Sequence, residues 1–151
     1  MTPTSKTRVL FICIGNSCRS QMAEAFARAY GSDVMVPASA GLAPASEIAP
    51  DTMEAMHAKS LDLRDHFPKH LRHVSRAQFD LVVNMSGMQL PSELNARVIE
   101  WDVPDPVMMD YEEHCDVRDL IERKVMQLVL ELRREQSEPK LKGLGSGRMK
   151  E

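Results

Sequence analysis

Cysteine is scarce in this 151-residue chain: three in all, an odd number, with no two in Cys-x-x-Cys spacing. That excludes a disulfide framework, and free thiols point to a reducing compartment, so a cytoplasmic location is expected. Excess charge is lacking too. A formal net charge of -3 gives neither nucleic acid nor an anionic membrane a surface to bind. No apolar run approaches a membrane span, and the opening "MTPTSKTRVLFI" lacks the apolar core and cleavage site of a secretory signal. The histidines of "HFPKHLRH", residues 66 to 73, have no acidic or cysteine cluster beside them. No metal is therefore expected, and no cofactor.

What is present suffices for one globular core. Residues 1–136 read as a single domain and 137–151, polar and glycine-bearing, as a flexible tail. Eleven methionines are read as adaptable core filling. "RVLFIC" (8–13) is a nearly all-apolar strand, the pattern of one buried on both faces. "SQMAEAFARAYG" follows as a helix, with Met22, Ala25, Phe26 and Ala29 at helical spacing and Gly31 as its stop. "DVMVPASAG" is a second strand, "APDTMEAMHAKSLDL" a second helix, "FDLVVNM" a third strand and "ARVIEWDV" a fourth. A long helix from about Glu112 to Arg134 carries Val117, Ile121, Val125, Leu128 and Leu132 on one stripe. Strands alternating with helices predict an α/β fold, a parallel sheet covered on both sides. Ligands bind such sheets at the carboxyl ends of the strands, and Cys13 ends the first strand.

The residues after that strand, Cys13, Ile14, Gly15, Asn16, Ser17, Cys18, Arg19 and Ser20, lead directly into a helix N-terminus. Such a loop presents several unpaired N–H groups to one point, where the helix dipole adds positive potential. Gly15 allows a turn and Asn16 tolerates left-handed backbone, so the loop suits a tetrahedral oxyanion. Arg19 grips two oxygens with its planar fork. A nucleotide-binding loop of the Gly-Lys-Ser/Thr type is excluded, since no lysine is present. A thiolate at the floor of the cradle is a nucleophile in line for group transfer, and Ser20 is placed to donate a hydrogen bond to it. "WDVPDPV" supplies an acid at the same sheet edge: Asp105, held between Pro104 and Pro106, is preferred over Asp102.

"VLFICIGNSCRSQMAEAFA" closely resembles the active-site segment of the low-molecular-weight protein tyrosine phosphatases and of the related thioredoxin-coupled arsenate reductases. The similarity runs from about Arg8 to Arg134. It implies a flavodoxin-like three-layer sandwich around a four-stranded parallel sheet. It implies Cys13 as nucleophile, Arg19 as oxyanion clamp and Asp105 as general acid, with Ile14 to Cys18 and Ser20 around the phosphate. Asn16, Ser20, Ser39 of "SAG" and His66 match positions that tie the loop into shape. Cys18 sits where many members carry a second loop cysteine, able to pair reversibly with the nucleophile.

Two departures bear on function. A thioredoxin-coupled reductase needs resolving thiols after the third strand, but "VVNMSGMQLPS" has Met85 and Ser92 there. Arsenate reduction would then draw on an external thiol. The Asp-Pro is followed by Val107, Met108 and Met109, with Tyr111 further on, so selectivity for phosphotyrosine is not written in an aromatic wall. The expected function is a cysteine-dependent phosphatase acting on phosphomonoesters, protein phosphotyrosine foremost, through a phosphocysteine. The partners are then a phosphorylated protein or small phosphomonoester, with phosphate or arsenate as ligand. The alternatives are an arsenate reductase using an external thiol and a non-enzymatic oxyanion-binding or redox-sensing module.

Overall fold

The computed structural model describes residues 5–74, 77–92 and 94–137. Beyond Ser137, the tail expected at 137–151 lies outside the described residues. Four strands, β1 (Thr7–Cys13), β2 (Met35–Gly41), β3 (Leu81–Asn84) and β4 (Arg97–Glu100), form one sheet in the order β2-β1-β3-β4. All three pairings are parallel, with Cys13 opposite Gly41 and Ile12 opposite Asn84. The order reverses at β1, so the crevice at its carboxyl end is a switch point. Central placement explains the unbroken apolar run: Val9 to Ile12 are fully buried, because both faces of β1 are covered. β4 is an edge strand, and three of its four residues are exposed.

Three helices, α1 (Arg19–Gly31), α2 (Pro50–His57) and α3 (Tyr111–Ser137), contribute to the core on the face of Val9, Phe11 and Cys13. The opposite face, with Leu10, Ile12 and Val82, is covered more thinly, by Leu71, Val74, Phe79, Leu90 and Leu94. Helices are expected on both sides of the sheet, but on this face the described residues place a short 3₁₀ turn, Leu71–His73. Pro68 stands in the middle of residues 61–73 and disfavours a longer helix there. This is the α/β flavodoxin-like architecture expected from the sequence.

Capping decides where α3 begins. Asp110 Oδ1 accepts from Glu113 N (2.8 Å), and Glu113 Oε1 accepts from Asp110 N (3.1 Å), a reciprocal capping box. Gly31 differs from its expected role as a helix stop. It is the last helical residue, and a Cβ there would lie 2.6 Å from Val129 Cγ2. Glycine is needed so that α1 can approach α3. The second helix ends at His57, short of the expected Leu63, and Ser60 turns the chain with φ of 64°.

Candidate active site

Loop 14–18 connects β1 to α1, and its carbonyls are all engaged. Leu42 N donates to Cys13 O (3.2 Å), Ala43 N to Ile14 O (2.9 Å), Ala45 N to Gly15 O (2.9 Å) and Ala49 N to Ser17 O (3.3 Å). Gln21 Nε2 donates to Asn16 O (3.1 Å) and Met22 N to Cys18 O (3.0 Å). The N–H groups of residues 14–18 have no such partners among the described residues. Carbonyls tied outward and amides left free make an anion-binding concavity. Asn16 provides the bend, with φ of 50°. Gly15 is not strained and would meet a Cβ only at ordinary contact, 3.8 Å or more. The glycine that the loop requires is Gly41: a Cβ there would lie 2.7 Å from Ile14 O and 2.9 Å from Asn16 N.

Cys13 Sγ lies under this loop, 2.9 Å from Ser20 Oγ and 3.4 Å from Ser20 N. Arg19 is buried, and its Nη1 donates to Met85 O (2.6 Å) and Val103 O (3.1 Å), which fixes the guanidinium between the ends of β3 and β4. Its Nη2 lies 3.5 Å from Asp105 Oδ2. Asp105 opens a 3₁₀ turn at Pro106–Met108, and its Oδ1 accepts from Val107 N (3.2 Å). Cysteine, arginine and aspartate thus come to one sheet edge from the end of β1, the start of α1 and the loop after β4.

Residues 8–138 match the family model described as low molecular weight phosphotyrosine protein phosphatase. The chain belongs to this family. A glutaredoxin arsenate reductase from Synechocystis sp. is 29% identical over 129 residues, which are 83% of this chain and 98% of that protein. A solved arsenate reductase in a phosphate-binding state superposes with a TM-score of 0.75 at 27% identity, over 83% of this chain and 98% of that one. A YwlE arginine phosphatase from Geobacillus stearothermophilus gives 0.74 at 25% identity, over 87% and 96%. Phosphatases and arsenate reductases therefore both stand among the relatives of this low-molecular-weight phosphatase-family chain.

Within that family loop, the protons of the buried network run in one direction. Glu24 accepts from Ser39 Oγ (2.6 Å) and, at its other oxygen, from Arg28. Ser39 has then used its proton and accepts from Asn16 Nδ2 (3.0 Å), which also donates to Ser20 Oγ (2.7 Å). The Ser20 proton is left for the Cys13 sulfur. Asn16 Oδ1 faces the other way and accepts from Gln21 Nε2 (3.0 Å) and Lys69 N (3.0 Å). His66 stands one step back, its Nδ1 donating to Gln21 Oε1 (3.0 Å), and burial holds its pKa below the usual histidine value.

The structure therefore gathers Cys13, Asn16, Arg19, Ser20, Ser39, His66 and Asp105 into one assembly. Asp102 is exposed and forms no ion pair among the described residues. Sequence reasoning missed Gln21 and Glu24. The signal for Glu24 was present: Ser20, Glu24 and Arg28 recur every four residues, a polar line along a helix otherwise buried at Met22, Ala23 and Phe26. Sequence reasoning also missed Thr52 and His114, buried residues in the first turns of α2 and α3 whose side chains bond at 2.8 Å. An open cavity of about 860 Å³ lies beside the assembly, walled by Glu47, Met53, His57, His66 and Phe67, and Cys13 does not line it.

Proposed function

We propose that the protein is an arsenate reductase whose electrons come ultimately from an external thiol. The observation that carries this reading is Cys13 Sγ at the floor of an amide cradle, 2.9 Å from a hydroxyl whose proton the network directs toward it. Relatives named arsenate reductase at 29–33% identity support it. Arsenate rests on the N–H groups of residues 14–18 and on Arg19. Cys13 attacks arsenic, and the departing oxygen leaves as water with a proton from Asp105. A second thiol then attacks the Cys13 sulfur; the S–As electron pair stays on arsenic, and arsenite departs. Met85, at the end of β3, is buried and uses its carbonyl to hold Arg19. The stretch after β3 thus supplies no thiol, and the reducing equivalents must enter from outside, as in a thiol-rich cytoplasm.

Phosphomonoester hydrolysis is the second reading, with protein phosphotyrosine the expected substrate, and Asp105 favours it. Its carboxyl, braced between prolines and 3.5 Å from Arg19, is suited to protonate a leaving alcohol. Val107 and Met108 beside it are exposed, so an aryl ring would find methionine rather than an aromatic wall. The deciding experiment measures arsenite formed with glutathione and glutaredoxin, with p-nitrophenyl phosphate hydrolysis assayed on the same sample. Arsenite formation with weak ester hydrolysis upholds the first reading. Brisk hydrolysis, inhibited by arsenate without its reduction, replaces it with the second.

A further inference from the structure

The cavity beside the active-site assembly is not part of the cradle, yet two of its walls are tied to it. One wall comes from the segment leading into α2: Ser17 Oγ donates to Glu47 O (3.0 Å). The other comes from the segment after α2. There His66 Nδ1 donates to Gln21 Oε1 (3.0 Å), and Gln21 Nε2 donates to Phe67 O (3.0 Å) and to Asn16 Oδ1 (3.0 Å). Ser17 and Asn16 belong to the cradle loop, so both walls are linked to the anion site by short chains of hydrogen bonds. At about 860 Å³ the space falls in the range that holds a small organic ligand, ~300–1,000 Å³. Neither the cradle residues nor Asp105 line it, so an oxyanion over Cys13 has no use for it.

The lining decides what fits. Ile48 and Leu63 are buried and Met53 is half-buried, which gives the cavity an apolar floor, and Phe67 stands exposed at its rim. The charge of the lining is negative. Arg64 is the only lysine or arginine in it, and its Nε and Nη2 both reach Asp62 Oδ2 at 2.8 Å. Burial holds His66 below the usual histidine value, so its ring is neutral above pH 7. Lys69 lies outside the lining and is engaged with the Phe67 ring (5.2 Å) and Phe67 O (3.4 Å). The Glu47 and Glu54 carboxylates remain. Among the described residues neither has a hydrogen bond or ion pair.

We propose that this cavity is a second binding site, for an organic cation with an apolar body, and that its occupant strengthens oxyanion binding in the cradle. The apolar body lies against Met53, Leu63 and Phe67, and the cationic head reaches Glu47 and Glu54. Burial of the body supplies the affinity, while the two carboxylates select the sign of the charge. Occupancy braces Glu47 and His66 from the cavity side, which holds Ser17 and Asn16 in place. An oxyanion then meets a cradle that is already ordered. By linkage, the oxyanion raises the affinity for the cation by the same factor. Arsenate reduction and ester hydrolysis both leave this site in place, because it includes neither Cys13 nor Asp105.

The test is isothermal titration of the full chain with benzamidine at pH 8, with and without saturating inorganic phosphate. Benzoate, the same ring with the opposite charge, is the comparison ligand. The expected result is a single benzamidine site, benzoate bound about tenfold more weakly or worse, and a gain of about fivefold in benzamidine affinity when phosphate is present. Glu47→Gln and Glu54→Gln should each weaken benzamidine about fivefold, whereas Asp105→Asn, the other carboxylate near the cradle, should not. Phosphate titrated into benzamidine-loaded protein should show the same gain as the reverse experiment. His66→Ala should lose that gain while still binding benzamidine. Equal binding of benzoate, or benzamidine binding that follows Asp105 rather than Glu47 and Glu54, overturns the site. Benzamidine binding that leaves phosphate affinity unchanged overturns the coupling and upholds the site. No binding at millimolar benzamidine overturns both.

Discussion

Asn16 Nδ2 donates to Ser20 Oγ at 2.7 Å, and Ser20 Oγ in turn lies 2.9 Å from Cys13 Sγ. An amide can only donate through its nitrogen, so the serine oxygen is an acceptor there and its proton faces the sulfur. Removing that proton should slow the chemistry. Ser20→Ala is expected to lower kcat by about tenfold, the kinetic equivalent of one hydrogen bond to a charged group at ~1.5 kcal/mol. KM for the oxyanion should move less, since the cradle amides are untouched. Steady-state kinetics on p-nitrophenyl phosphate or arsenate checks this; a larger change in KM than in kcat would show that Ser20 holds the ligand instead.

Gly41 supports the cradle without touching the ligand. A Cβ there would press on Ile14 O at 2.7 Å and Asn16 N at 2.9 Å, both backbone atoms that cannot swing aside. Gly41→Ala should therefore distort the loop and weaken phosphate binding by tenfold or more, on the order of 1–3 kcal/mol of strain. Isothermal titration with phosphate measures it. Gly15→Ala makes the control, because the space around Gly15 accepts a Cβ at ordinary contact. It should bind better than Gly41→Ala.

The contrast between those two glycines shows what the sequence could reveal. Gly15 lies inside the motif and drew notice; Gly41 lies at the end of β2 and matters only because the parallel register sets it against Cys13. The strands and helices were legible because each carries its own periodicity. β1 and α1 were placed within about a residue of their observed limits. The cover over the Leu10 and Ile12 face was not legible, since Leu71, Phe79 and Leu90 come from irregular segments without a period. Nucleophile, clamp and acid could be named because their chemistry is local to short motifs. Gln21 bonds His66, Glu24 bonds Ser39 and Thr52 bonds His114, partners 15 to 62 residues apart, and only the fold brings those pairs together.

Stability should fall on mild acidification. Burial holds His66 and His114 below the usual histidine value in the folded chain. The unfolded chain therefore takes up protons first as pH drops below about 6.5, the ordinary histidine value. The contribution of these rings is full above that pH and is lost progressively as pH approaches their folded values. Thermal melts at pH 7.5 and 5.5 should show a lower midpoint at the acid end. The double variant His66→Gln, His114→Gln should flatten the difference; an unchanged difference would assign the acid sensitivity to carboxylates.

Arg19 is expected to be irreplaceable by lysine. Its Nη1 is committed to Met85 O and Val103 O, and Nη2 remains beside Asp105 for the ligand. One guanidinium thus does two things at once: it ties the ends of β3 and β4 together and faces the cradle. A lysine ammonium is a single point charge and cannot span both places. Arg19→Lys should therefore leave either two buried carbonyls without their donor or the oxyanion without its clamp. The first outcome costs ~1–3 kcal/mol of stability per unsatisfied group. The second removes a charge-assisted, bidentate grip and should reduce kcat/KM by at least 100-fold. Melting and kinetics measured on one preparation separate the outcomes. A variant with wild-type activity would mean that the cradle amides alone hold the anion, and that Arg19 serves the fold rather than the reaction.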